Sequence, residues 1–123
     1  MPWIYSQTTG TLTNDGLLVG AGYSGRENGG GRNNPGAEAV HHVGPIPRGR
    51  YRIGLPHDAP HSGRYVMDLT PVGHNVYGRT ELQIHGERIG RPPGNASEGC
   101  VVLPRNVRER IFRSRDYVLE VVR

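Results

Sequence analysis

Glycine and proline interrupt this chain too often for a helical bundle. Nineteen glycines and 10 prolines stand among 123 residues, and a helix interior disfavours both. The glycines have no three-residue period, so the chain is not collagen-like. Between the interruptions lie short runs of alternating apolar and polar residues, the pattern of half-buried strands. Residues 3–5, 11–13 and 17–19 are the first, the last two joined across Asn14-Asp15-Gly16, a hairpin signal. In 50–55, Tyr51 and Ile53 alternate with Arg50 and Arg52, and in 65–69, Tyr65, Met67 and Leu69 share a face. In 81–85, Leu82 and Ile84 take one face and Gln83 and His85 the other. Residues 100–103 read as a buried strand and 117–122 as an alternating one. One helix is expected from Pro104 to about Arg113, with Val107 and Ile111 as its apolar stripe. The expectation is an α+β fold, mostly β, as a single domain over 1–123 with one C-terminal helix.

No apolar run approaches the roughly 18 residues of a membrane span. The opening MPWIYSQTTG has neither a basic nor an apolar signal region, so a chain made in the cytoplasm without a signal peptide is expected. The single cysteine, Cys100, excludes an internal disulfide framework and a Cys-rich zinc site. Net charge is +4, and every basic residue is arginine. Arginine suits carboxylate and phosphate recognition, although lysine's absence equally fits codon bias. The arginines form no run and aromatics are few, so nucleic-acid binding is not expected. Affinity for anionic cell-wall material fits better.

Two features carry chemistry: His85-Gly86 and Ser97-Glu98-Gly99-Cys100. A histidine that takes a thiol proton is the minimum for thiolate attack on a carbonyl. Gly99 admits close backbone approach, and its N–H with that of Cys100 would form an oxyanion hole. Against this, a cysteine beside Val101 and Val102 is often only a small buried hydrophobe. His61 and Asp68 have a spacing similar to that of zinc D,D- and L,D-peptidases, with His85 as a third ligand, but the flanking residues of that motif are absent. His41, His42 and His57 read as solvated loop residues. Residues 24–36, SGRENGGGRNNPG, contain five glycines and nothing apolar. They read as a long mobile loop, either a disordered surface segment or one whose Arg26, Arg32, Asn33 and Asn34 lie over the Cys100 cleft.

The IHG at 84–86 and SEGC at 97–100 place His85 fifteen residues before Cys100. This resembles the YkuD-type L,D-transpeptidase pattern. WIYSQTTGTL, YSG followed by NNP, VGPIPRGRYRIG, LQIHG and SEGCVVLP occur in the order of a narrower group. Over nearly all of 3–122 the chain resembles the type VI secretion L,D-transpeptidase-like toxins. The resemblance implies a YkuD-like β-rich core with Cys100 as nucleophile and His85 as general base. Ser97 would help orient the site, and Gly99 is the glycine before the nucleophile. The implied substrates are tetrapeptide stems of peptidoglycan, cut before the terminal D-alanine by hydrolysis or D-amino acid exchange. No cofactor or metal is implied. Secretion into a target-cell periplasm is, and with it an immunity protein in the producer.

Glu98 stands where the wider YkuD pattern has a second histidine, and Val101-Val102 where it carries an arginine. Another arginine must then bind the substrate carboxylate. Arg50 and Arg52, on the polar face of their strand, and Arg48, in the Pro47-Arg48-Gly49 turn, are the candidates, the other reading being that all three are solvated surface charges. Gly86, Asn33 and Asn34 complete the expected substrate-binding set. A zinc peptidase using His61, Asp68 and His85 remains an alternative, as does a non-catalytic cell-wall-binding module.

Overall fold

The structure, a computed structural model, describes residues 2–88 and 92–123. The part of the proline- and glycine-rich loop before Ser97 that falls on 89–91 lies outside the described residues. The strands are β1 (Trp3–Ser6), β2 (Thr11–Asn14), β3 (Leu17–Ala21), β4 (Tyr23–Ser24), β5 (Gly49–Ile53), β6 (His57–Ala59), β7 (Gly63–Val72), β8 (Gln83–His85), β9 (Val101–Val102) and β10 (Val118–Val122). They pair in the order β3-β2-β1-β10-β5-β7-β8-β9-β4, with β6 beside β7. The α-helix among the described residues is α1 (Arg105–Ser114). The mostly β architecture with one C-terminal helix matches the sequence reading.

Alternation explains the centre of the sheet. β1 runs parallel to β10 with Trp3 opposite Leu119 and Tyr5 opposite Val121. β10 pairs antiparallel with β5, placing Leu119 opposite Tyr51. These residues are all buried and join Ile53, Met67, Leu69 and Ile84 in one core. The other face of β5 carries Arg50 and Arg52 outward, and Arg50 pairs with its register partner Glu120.

The helix lays Val107 and Ile111 into the same core. It begins one residue later than expected, because Pro104 has extended backbone (ψ 155°) and serves as N-cap. Arg108 is also buried. Its guanidinium donates to the carbonyls of Leu103, Arg64 and Tyr65, tying the helix to the start of β7.

Three local readings change. The strand expected over 81–85 is confined to Gln83–His85, because Glu81 has a φ of 58° and breaks the extended backbone. β6 arises where a loop was expected, at His57, whose ring donates to Asp68 across to β7 at 3.0 Å. Residues 24–36 are held by hydrogen bonds: Arg26 N–H to Val43 O, Asn33 N–H to Ser24 O, and Ser24 N–H to Asn33 Oδ1.

Candidate active site

β8 and β9 run parallel with Ile84 opposite Val101 and His85 opposite Val102. Side chains alternate along a strand, so Ile84 and Val101 face the core together. His85 and Cys100, the residue before β9, share the opposite face. Both line one cleft of about 400 Å³. Its walls include His61 and Ser62 beyond β6, Arg79 and Glu81 before β8, and His41 and His42 from the loop ahead of β5.

His85 is buried, and its Nδ1 lies 2.8 Å from the Gly86 carbonyl oxygen. A carbonyl only accepts, so Nδ1 carries the proton and Nε2 presents a lone pair. Burial lowers the pKa of His85; the Gly86 bond opposes this, while the charges of Arg88 and Arg108 add to it. The Cys100 thiol donates to Glu81 O at 3.4 Å. Burial pushes its pKa up to about 11, against the Gln83 backbone N–H and the charges of Arg79 and Arg88. Both shifts favour a neutral thiol and a neutral imidazole at rest.

Ser97 and Arg79 set the turn that delivers Cys100. Ser97 Oγ donates to Cys100 O at 2.6 Å and accepts the N–H groups of Gly25 and Gly99 at 2.9 and 3.1 Å. The Gly99 N–H is thus occupied, contrary to the expectation that it joins Cys100 in an oxyanion hole. Arg79 is buried and donates to four backbone carbonyls: Glu38 and Pro45 at 2.7 Å, Gly44 at 2.8 Å and Glu98 at 3.2 Å. One guanidinium therefore ties the His41-His42 loop to the turn before the cysteine. Arg79 escaped the sequence reading because Gly78-Arg79-Thr80 matches no motif, and an arginine there reads as a solvated loop charge.

The other expected site residues lie elsewhere. Arg48 pairs with Glu38 at 2.7 Å, Arg50 with Glu120, and Arg52 is exposed on β5; none of them lines the cleft. No residue of 24–36 lines it either. Asn33 accepts from Ser24 N–H, Asn34 caps Gly36 N–H at 3.1 Å, and Arg32 stacks on Tyr23. Gly86 faces the guanidinium of Arg108, where a β-carbon would come within 2.6 Å, and its carbonyl orients His85. His61 reaches the cleft, but Asp68 accepts from His57 and, at 2.9 Å, from Gln83. Among the described residues no three of His, Cys, Asp and Glu are arranged to hold a metal ion.

Fold and cleft together define a small β-rich domain that presents a histidine from β8 and a cysteine from the turn that enters the adjacent parallel strand β9. The model of the Tlde1 domain matches residues 19–122, from within β3 to the end of β10. The chain belongs to this family, a family of type VI secretion effectors. No curated protein and no solved structure matches it. No helix among the described residues is long and apolar enough to cross a membrane.

Proposed function

We propose that this protein is a cysteine-dependent L,D-carboxypeptidase and L,D-transpeptidase acting on tetrapeptide stems of peptidoglycan. The observation that carries the reading is the shared face of Cys100 and His85 in one cleft, with the His85 lone pair left on Nε2 by the Nδ1–Gly86 bond. The effector family and the IHG and SEGC segments support the same chemistry.

His85 Nε2 takes the proton from Cys100 Sγ as sulfur attacks the carbonyl that precedes the terminal D-alanine. The Cys100 N–H is the backbone donor for the oxyanion, since that of Gly99 is bound to Ser97. Collapse of the tetrahedral intermediate breaks the C–N bond. The D-alanine nitrogen takes the proton from His85, and a thioester remains on Cys100. Water, deprotonated by the same histidine, gives the tripeptide acid and restores the thiol. A D-amino acid or a stem amine in place of water gives exchange or a cross-link. The effector family supports delivery into a target-cell periplasm, with an immunity protein protecting the producer.

Incubation with purified tetrapeptide muropeptides, read by mass spectrometry, tests this. Tripeptides with an equimolar release of D-alanine are expected, and D-methionine in the mixture adds a stem in which it replaces D-alanine. Unchanged stems, or cleavage at any other bond, overturn the reading.

A further inference from the structure

Two arginines line the cleft among the described residues, and they are in different states. Arg79 spends both terminal nitrogens on backbone carbonyls. Arg88, just after β8, lines the cleft with a buried Nε that has no hydrogen-bond partner among the described residues. The acid beside it is engaged: Glu87 bonds the Tyr23 hydroxyl and accepts the Gly94 N–H at 2.9 Å. Two carboxylates face the same cleft, Glu81 and Glu98, and Glu98 lies 4.0 Å from His42. The charge of Arg88 is felt at both Cys100 and His85, so its guanidinium sits within electrostatic reach of both.

A stem cut before its last residue places the terminal carboxylate one residue beyond the carbonyl that meets Sγ. That carboxylate enters the cleft partly stripped of water and needs a donor. A guanidinium presents a planar fork matched to it. We propose that Arg88 is the specificity-determining residue that reads the terminal carboxylate of the stem peptide. The assignment rests on the reading of the cleft as an L,D-carboxypeptidase site. It gives Arg88 the role for which the sequence suggested Arg48, Arg50 or Arg52.

The test compares a soluble tetrapeptide ending in D-alanine with the same peptide ending in D-alaninamide. Wild-type protein is expected to favour the free acid by about tenfold or more in kcat/KM, the effect of a hydrogen bond to a charged group. In Arg88→Gln the ratio of acid to amide falls toward one. Arg88→Lys, which keeps the charge and loses the fork, falls between. The ratio is taken within one preparation, so a partly unfolded variant does not distort it. A wild-type preference that persists in Arg88→Gln, or wild-type protein that cuts both peptides equally, overturns the assignment while leaving the hydrolase reading intact. Wild-type protein that cuts neither peptide overturns that reading and the assignment with it.

Discussion

The guanidinium of Arg79 occupies the place where any other residue at position 99 would put its β-carbon: that atom would lie 2.0 Å from Nη2. Gly99 also has a φ of 138°, a region that side chains rarely enter. Gly99→Ala therefore strains the turn and pushes Arg79 off the Gly44 and Glu98 carbonyls. A loss of about 1–3 kcal/mol in stability and a fall of tenfold or more in tetrapeptide turnover are expected, the latter because Cys100 is displaced. Arg79→Met leaves the same carbonyls without their donor and lowers the melting temperature further. Thermal melts beside kcat/KM check both; wild-type behaviour of Gly99→Ala would contradict the packing.

The resting charges of the site set its pH dependence. The pKa of His85 lies below the ordinary 6.5, so the imidazole protonates only in more acidic solution. The acid limb of kcat/KM then falls below pH 6.5. The thiol, pushed to about 11, stays protonated at neutrality, so iodoacetamide labels the substrate-free protein slowly at pH 7 and faster toward pH 11. Slow labelling at neutral pH is thus compatible with a catalytic cysteine. A labelling rate that levels off near pH 7 would instead mean a resting thiolate–imidazolium pair.

Glu38 anchors the loop that carries His41 and His42. Burial raises its pKa, but hydrogen bonds from the Arg48 side chain and N–H and from Gln7 outweigh it and hold the carboxyl at about 2. The folded value is below the ordinary 4.5, so this contribution to stability is complete above 4.5 and is lost as pH falls toward about 2. Glu38→Gln should cost about 1–3 kcal/mol at pH 7, as hydrogen bonds to a charged acceptor do. It should also lose less stability than wild type on acidification. Urea unfolding at pH 7 and pH 3 gives both quantities, and equal acid sensitivity would contradict the role.

Arginines outside the cleft should matter little to turnover. Arg50→Ala and Arg52→Ala are expected to keep kcat/KM within about twofold, since exposed ion pairs contribute roughly 0–1 kcal/mol even to stability. Asn33→Ala should lower the melting temperature, by releasing the Ser24 N–H, and leave KM unchanged. A tenfold rise in KM in any of the three would return that residue to the substrate.

The sheet was legible where alternation is clean. Tyr51 and Ile53 against Arg50 and Arg52 report which face is dry, and Leu82 and Ile84 against Gln83 and His85 report which side chains join the core, although His85 on the other face is buried too. The two-residue β4 and the three-residue β6 are too short to carry a period, whereas β9 shows as the apolar run of 100–103. Cys100 and His85 stand out in the sequence through the IHG and SEGC segments; that they share one face follows from the register of β8 with β9, which no strand pattern reveals. What parity cannot give is which loops close the cleft. The glycines of 24–36 suggested a mobile cover, whereas Glu38, Gly44 and Pro45 offer the carbonyls that hold Arg79. A buried arginine bonded to distant backbone leaves no local pattern, so nothing in the sequence singles out Arg79 or Arg108. Nor does sequence show that Arg88 has an unbonded nitrogen while Arg48 and Arg50 are paired.

Turnover of a tetrapeptide muropeptide by Cys100→Ala tests the thiol mechanism most directly. The substitution removes one sulfur atom at the wall of the cleft and should leave the melting temperature within a few degrees, because a single atom beside open cleft space takes little packing with it. With Cys100 as the nucleophile, the variant, folded as the wild type is, forms no tripeptide while wild-type protein does. Tripeptide formed by folded Cys100→Ala at a rate near that of wild type would contradict that mechanism.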